Sequence, residues 1–118
     1  MNCVLLIINK TIEEKKMAWK RVVRLVRPNN SVDFENFTDS ENQHITDNYV
    51  TSGKSISFNV VVSANGLERF HTRIFANESN RDEFVADSSI QAAGSRRNIA
   101  GAAKGIVRSV TFDAEYNE

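Results

Sequence analysis

Residues 55–75, SISFNVVVSANGLERFHTRIF, contain two runs of alternating apolar and polar residues on either side of Ala64-Asn65-Gly66. Alternation with a period of two is typical of strands that bury one face, and Asn-Gly between two such runs is typical of a hairpin turn. The apolar positions of the first run are Ile56, Phe58, Val60 and Val62. This stretch therefore predicts a β-hairpin with one apolar face.

Two registers of this hairpin differ in what faces the apolar side. A two-residue loop pairs Val60 with His71, whereas a three-residue loop, residues 64–66, pairs Val60 with Phe70. The second register keeps charged side chains off the apolar face, and it places Gly66 at the left-handed position of a common bulged turn. We therefore predict the three-residue loop. The opposite face then carries Val61 together with Arg69, His71, Arg73 and Phe75.

The segments on either side of the hairpin predict helices and a further strand. Residues 77–104 predict two helices, because a capping residue precedes each apolar group and a glycine follows the last one. Residues 106–114 alternate again and predict a strand. In the polar segment 28–54, Thr38 and Glu41 have the spacing of a capping box, which predicts a short helix.

Residues 19–27 fit two interpretations. Together with Ile12, their apolar residues form one stripe of a helix that begins at Thr11 and ends at Pro28. The β-branched valines instead favour a strand, and periodicity alone leaves both interpretations open. With a strand, the order is βαββαβ, which predicts an α+β, ferredoxin-like fold. Its four-stranded antiparallel sheet would carry helices on one face and form a homodimer through the other.

The sequence before Met17 raises a separate hypothesis. Codons for Glu13-Glu14 and the A-rich codons for Lys15-Lys16, followed by ATG, have the layout of a bacterial ribosome-binding site, its spacer and a start codon. Residues 1–16 are then a translated leader or N-terminal extension, and residues 17–118 form a single α+β domain. The alternative is an ordinary helical Glu-Glu-Lys-Lys sequence. The mass of protein made from the native gene distinguishes the two, because an intact Met1 excludes the leader.

Composition limits the class of function. The chain has 118 residues with 15 basic and 15 acidic side chains, so no overall field attracts nucleic acid or a membrane. A single cysteine, Cys3, excludes an intrachain disulfide and a cysteine-based zinc site. The apolar run Val4–Ile8 is far shorter than the ~20 residues of a membrane span. We predict a cytoplasmic protein with no membrane partner, located in the host cytoplasm or the virion if a phage encodes it.

The residues that carry chemistry form few recognisable motifs. His44 and His71 lack the spacing of a metal site, no glycine-rich phosphate loop occurs, and nothing places a nucleophile beside a base. We therefore predict no metal, no cofactor and no catalytic residue. Arg69, His71 and Arg73 share one strand face and form a candidate anion-binding row; the alternative is a solvated or dimer-facing surface. Arg96-Arg97 can contact a phosphate, but such a pair more commonly keeps a helix face soluble.

Basic residues alternate with apolar ones in the first predicted strand. Such residues beside an aromatic ring can hold nucleic acid, through phosphate contacts and base stacking. Long basic side chains also cover exposed sheet edges. The candidate nucleic-acid contacts are Lys20, Arg21, Arg24 and Arg27, and the candidate dimer face consists of Trp19, Val61 and Phe75.

Two segments resemble known protein families. Residues 73–93, RIFANESNRDEFVADSSIQAA, resemble the strand-to-helix passage of dimeric α+β-barrel proteins of the antibiotic-biosynthesis-monooxygenase-like group. Residues 17–29, MAWKRVVRLVRPN, followed by that segment, are similar to short uncharacterised proteins of tailed phages infecting marine cyanobacteria. The first resemblance implies a small ligand-binding protein or a cofactor-independent enzyme, and the second implies a phage protein without a known activity.

The leading prediction is a small phage or bacterial accessory protein that acts by self-association and by binding other proteins, as a virion or infection-stage component. One alternative is a nucleic-acid-binding protein that uses the basic N-terminal strand. The other is a small ligand-binding protein or enzyme with a pocket between sheet and helices, near His71 and Phe84. That alternative predicts a closed polar cavity with a perturbed titratable group, and a solid apolar interior would contradict it.

Overall fold

The computed structural model describes residues 17–117. The strands are β1 (Ala18–Val26), β2 (Ser55–Val62), β3 (Glu68–Phe75) and β4 (Val107–Tyr116). Helix α1 (Asp39–Ile45) continues into a π-helical turn (Thr46–Val50) between β1 and β2, and helices α2 (Glu78–Ala86) and α3 (Ser88–Ala103) lie between β3 and β4. The chain is α+β, with a four-stranded antiparallel sheet and three helices, and is compatible with the expected ferredoxin-like arrangement.

The segment 19–27, which fitted either a helix or a strand, forms strand β1 as far as Val26. The helical interpretation that begins at Thr11 and the leader hypothesis both concern residues 1–16, which lie outside the described residues. Within residues 17–117, no helix combines the length and apolar character needed to cross a membrane.

Side chains at the helix starts explain where the helices begin. The Thr38 hydroxyl accepts a hydrogen bond from the Glu41 N–H at 3.2 Å, and the Glu41 carboxylate accepts one from the Thr38 N–H at 2.8 Å. Asn77 caps α2 and Asp87 caps α3 in the same manner. The predicted capping box is confirmed. It could be predicted from the sequence because a capping box involves only residues three positions apart.

The sheet has the strand order β2-β3-β1-β4, with every neighbouring pair antiparallel. Strands β1 and β3 form its centre, where Trp19 is opposite Phe75 and Val23 is opposite His71. The β1–β4 register shifts between Val22 and Val23. Strands β2 and β4 are the two edges of the sheet.

The predicted hairpin register is wrong. Val60 pairs with His71 rather than Phe70, and the Ser63 N–H donates to the Glu68 carbonyl at 2.9 Å. The loop therefore has four residues, 64–67, with Gly66 at φ 77° in the left-handed conformation that was predicted for it. The predicted register was chosen to keep charged side chains off the face of the hairpin that the helices cover. In the structure, aromatic rings on that face accommodate the charged side chain of Arg73.

The apolar core lies between the helices and one face of the sheet. Its centre consists of Ile45, Tyr49, Phe75 and Phe84, and the Phe84 ring lies 5.1 Å from Tyr49 and 5.2 Å from Phe75 between centroids. Trp19 packs against this cluster, and Phe75 is 0% exposed. Val61 is 52% exposed and pairs with Phe70 on the other face. The three residues predicted to form one dimer face therefore lie on two faces of the sheet.

Candidate anion-binding cavity

A cavity of about 410 Å³ lies beside the core, between the sheet and α3. His71 and Phe84 both line it, as the ligand-binding alternative requires. Gly94 leaves space on the α3 side of the cavity, because a Cβ added there would meet no atom within 4 Å. Gly101 also lines the cavity, but a Cβ there would contact the Ile106 side chain at 3.5 Å. The sheet and α3 therefore border a partly open space that apolar side chains do not fill.

The ionisable groups that line this cavity are predominantly cationic. Arg21, Arg73, Arg97 and Arg108 come from four different elements, β1, β3, α3 and β4. Glu35 is the one carboxylate that residues 17–117 contribute to the wall, and it already lies 2.5 Å from the Lys104 ammonium. The cavity therefore has a positive wall in a chain whose total charge is zero.

Three of these arginines have no carboxylate partner among residues 17–117. Arg21 lies 3.6 Å from Asp113, but none of the ion pairs within the described part of the chain includes Arg73, Arg97 or Arg108. Buried charges in proteins are normally paired, because removing an ion from water is costly. Arg73 is only 8% exposed, so this arrangement departs from that rule.

Aromatic rings hold two of the unpaired guanidinium groups. Arg97 lies 3.9 Å from the centroid of Phe37, and Arg73 lies 4.2 Å from Phe58 and 5.0 Å from Phe84. Cation–π contacts attract the face of a guanidinium and leave its N–H edge free to bind oxygen atoms. Arg73 uses one of these N–H groups, which donates to the Ser55 hydroxyl at 2.8 Å.

Two buried side-chain nitrogens at the cavity, Nε of Arg97 and Nε2 of His71, make no hydrogen bond to the residues that the structure describes. Nε of Arg21 makes none either, but it lies 3.6 Å from the Asp113 carboxylate. A buried donor without an acceptor costs about 1–3 kcal/mol, and most such groups in proteins are satisfied. Donors of this kind that converge on one cavity indicate a site for an acceptor-rich ligand.

Burial and mutual repulsion shift the pKa values of this cluster. Burial, followed by the charges of Arg69, Arg97, Arg73 and Arg108, lowers the pKa of His71 to about 4. Burial and the charge of Arg97 lower the pKa of Arg73 to about 10. His71 is therefore neutral at neutral pH, while the arginines remain charged and repel one another. An anion among them would oppose both shifts, because it favours the charged form of each group.

The predicted anion-binding row is only partly formed. His71 and Arg73 line the cavity, but Arg69 turns towards the segment before α1. There it donates to the Asn36 side chain and to the Glu35 carbonyl, each at 2.7 Å, and lies 4.7 Å from the Phe34 ring. Arg69 therefore attaches this segment to β3.

The four candidate nucleic-acid contacts, three in β1 and Arg27 just after it, do not lie on one surface. Arg21 faces the cavity, whereas Lys20 and Arg24 lie on the opposite face, where Lys20 is 4.7 Å from the Tyr116 ring and Arg24 pairs with Glu68. Arg27 donates to the carbonyl groups of Gly66 and Val32 at 2.7 and 2.9 Å. Most of these side chains are thus engaged within the protein.

Sequence reasoning missed Arg108 and left the role of Arg97 open. Arg96 and Arg97 were predicted to contact a phosphate or, more commonly for such a pair, to keep a helix face soluble. The structure separates that pair: Arg96 binds the Glu41 carboxylate at 2.6 Å and the Asn36 carbonyl at 2.9 Å, whereas Arg97 lines the cavity. The available signal was a helix face on which Gly94, Arg97 and Gly101 occur at helical spacing in place of apolar residues.

A second polar cluster has a structural explanation. The Tyr49 hydroxyl donates to the Asp87 carboxylate at 2.7 Å, and His44 Nε2 lies 2.9 Å from the same carboxylate, which also caps α3. Burial opposes ionisation of Asp87, but these hydrogen bonds outweigh it and lower its pKa to about 2. The cluster connects α1 and the π-helical turn to α3. Residues 17–117 contain no group of His, Cys, Asp and Glu arranged to hold a metal.

Comparisons with protein-family models, curated protein sequences and solved structures found no match to this chain. The function of the cavity therefore has to be inferred from its own chemistry.

Proposed function

We propose that the protein binds a small anionic molecule in the cavity between the sheet and α3. One observation carries this proposal: Arg73, Arg97 and Arg108 line the cavity without a carboxylate partner among the described residues. The proposal corresponds to the ligand-binding alternative drawn from the sequence, which required a polar cavity near His71 and Phe84.

The energetics of the free protein support binding. The buried charge of Arg73, which is repelled by Arg97, and the buried nitrogens without hydrogen-bond partners both cost free energy on folding, whereas Arg108 is exposed and costs little. An anion supplies acceptors and negative charge together, and each hydrogen bond to a charged group contributes about 1.5–3 kcal/mol. The cavity volume of about 410 Å³ is also within the usual range for small-molecule sites. Functional sites commonly retain such unfavourable charge because the ligand compensates for it.

Adjacent arginines of α3 provide a matched test. Arg97→Met removes a cavity charge, and Arg96→Met removes the neighbouring charge that binds Glu41 outside the cavity. We expect inorganic phosphate to raise the thermal unfolding temperature of the wild type and of Arg96→Met. Arg97→Met should bind phosphate at least about tenfold more weakly, since it loses a charged hydrogen-bond donor.

The same variants separate ligand binding from a structural role. In phosphate-free buffer, Arg97→Met should be at least as stable as the wild type, because it relieves repulsion within the cluster. A large loss of stability in Arg97→Met without phosphate would indicate that Arg97 is structural. Equal phosphate responses in both variants would place the anion elsewhere.

Self-association is a second candidate function, and strand β2 carries it. Five large apolar residues of this edge strand are between 41% and 54% exposed: Ile56, Phe58, Val60, Val61 and Val62. The strand Ser55–Val62 contains no charged residue and no proline, which are the usual means of blocking an exposed edge. An uncharged, apolar edge of this kind is suited to pairing with another strand.

A second copy of the chain is the partner that β2 fits. The Ser63 N–H bonds inward to Glu68, so alternation directs the backbone groups of Val60 and Val62 towards the free edge. Two antiparallel β2 strands would place no like charges opposite each other and would extend the sheet across a two-fold axis. Such a dimer agrees with the accessory protein expected from the sequence. We keep the phage origin as part of this proposal, on the basis of the resemblance of residues 17–29 and 73–93.

A further inference from the structure

We propose that the ligand of the cavity combines a dianionic group with an aromatic or other apolar body. This inference rests on the proposed anion binding and specifies the class of anion.

The charge of the wall favours two negative charges over one. Four arginines line the cavity, and Asp113, 3.6 Å from Arg21, offsets one of them. Glu35 offsets at most one more, because it is itself paired with Lys104. The described wall therefore has an excess of about two positive charges while His71 is neutral, one of them on Arg108 at the exposed side of the cavity. A monoanion would leave one of them unbalanced in a partly buried site.

The remainder of the wall favours an apolar body. Phe37, Phe58, Phe75 and Phe84 all contribute, and three of these rings, Phe37, Phe58 and Phe84, lie against Arg97 or Arg73. Val23, Leu25, Val85, Ile90 and Ile106 complete the apolar part. A bare oxyanion would occupy the arginine edges and leave the exposed portion of this apolar wall facing water. An attached ring would exclude that water and gain the free energy of apolar burial.

Two chemical groups share this dianionic character. A phosphate monoester and a pair of adjacent carboxylates both present several oxygen atoms to guanidinium forks. Both groups fit the arginines of the cavity, so the test includes one phosphate monoester and one dicarboxylate.

Titration calorimetry of the full chain tests both halves of the inference. The probes are phenyl phosphate, inorganic phosphate, benzoate, phthalate and benzyl alcohol. We expect phenyl phosphate or phthalate to bind at least about tenfold more tightly than inorganic phosphate, because a buried ring adds apolar contact. We expect the same compound to bind at least about tenfold more tightly than benzoate. Benzoate lacks the second negative charge and therefore makes one charged hydrogen bond fewer. Benzyl alcohol should give no measurable heat.

Each result is decisive for a different part. Equal affinity for phenyl phosphate, phthalate and inorganic phosphate would overturn the apolar body but leave anion binding intact. Equal affinity for benzoate and both dianions would overturn the requirement for two charges. Absence of binding by every anion would overturn the proposed function itself. The tighter binder of phenyl phosphate and phthalate identifies the headgroup.

Neighbouring valines of β1 provide variants that preserve the fold. Val23 lines the cavity, whereas Val22 lies on the other face of the sheet, where it pairs with Phe112 of β4. Threonine has the shape of valine and keeps the strand preference, but it adds a polar hydroxyl. Val23→Thr should weaken the binding of phenyl phosphate or phthalate several-fold and leave the affinity for inorganic phosphate unchanged. Val22→Thr should change neither, and identical effects of the two substitutions would contradict an apolar contact at Val23.

Discussion

At the scale of single residues, His71 reports the electrostatics of the cavity. Its ring packs edge-on against Phe58, with centroids 5.6 Å apart, and burial together with Arg69, Arg97, Arg73 and Arg108 lowers its pKa to about 4. An unfolded chain would bind a proton at this histidine near pH ~6.5. Folding therefore opposes protonation of His71 throughout the interval between these two values.

The first prediction concerns stability against pH. The pKa of His71 is lower in the folded protein than in the unfolded chain. As the pH falls, the unfolded chain therefore binds more protons at His71 than the folded protein does. The free energy of unfolding should therefore be unaffected by His71 above pH ~6.5 and decrease as the pH falls towards about 4. His71→Gln should remove this decrease. Urea denaturation of both proteins across this interval measures it, and parallel curves would contradict the buried, neutral histidine. Asp87 and Glu41, whose pKa values are also lowered by folding, reduce stability at the acid end of this interval in both proteins, so the difference between the two curves isolates His71.

At the scale of elements, the sequence predicts where helices and strands lie better than it predicts how they pair. Thr38 with Glu41, and Asn77 and Asp87, act through hydrogen bonds to residues two or three positions away, so their caps are readable in sequence. The hairpin register depended on whether Arg73 could be buried. That was decided by Phe58 and Phe84, and Phe84 belongs to α2, which the hairpin sequence does not contain.

The different roles of Arg96 and Arg97 also depend on the tertiary structure. The helical spacing of Gly94, Arg97 and Gly101 is a local signal, but the positions of Glu41 on α1 and of Phe37 before it separate the two arginines. The candidate site was therefore predictable at His71 and Arg73, which share a strand face by alternation, only as one of two interpretations at Arg97, and not at Arg108. A site assembled from four elements requires the tertiary structure before its residues can be grouped.

The exposed edge of β2 carries the second prediction. Val60→Lys places a charge on that edge, and we expect it to convert a dimer of the wild type into a monomer, because charged edge residues oppose strand addition. Val107→Lys is the matched control on β4, where Val107 is 65% exposed at the other edge of the sheet. Sedimentation velocity over a range of concentrations distinguishes the species. A monomeric wild type, or dissociation by Val107→Lys as well, would contradict association through β2.

At the scale of the whole molecule, zero net charge conceals an uneven distribution. The 15 basic and 15 acidic side chains cancel in the total, yet the cavity collects four arginines with Glu35 as the carboxylate found among its described lining residues. Total charge governs long-range attraction, and it does not describe a site in which burial strengthens each local interaction. The composition therefore argued against a nucleic-acid surface without bearing on a small internal anion site.

The central claim is that an anion binds among these arginines, and the imidazole nitrogen resonances of the two histidines test it most directly. His71 lies in the cavity, whereas His44 is paired with Asp87 outside it and serves as an internal control. Titration with inorganic phosphate, followed by nuclear magnetic resonance, should shift the His71 signals saturably. It should also raise the pKa of His71 from about 4, because a bound anion favours the protonated ring, and leave His44 unchanged. An unchanged His71 pKa at high phosphate, or equal shifts at both histidines, would contradict an anion site in this cavity.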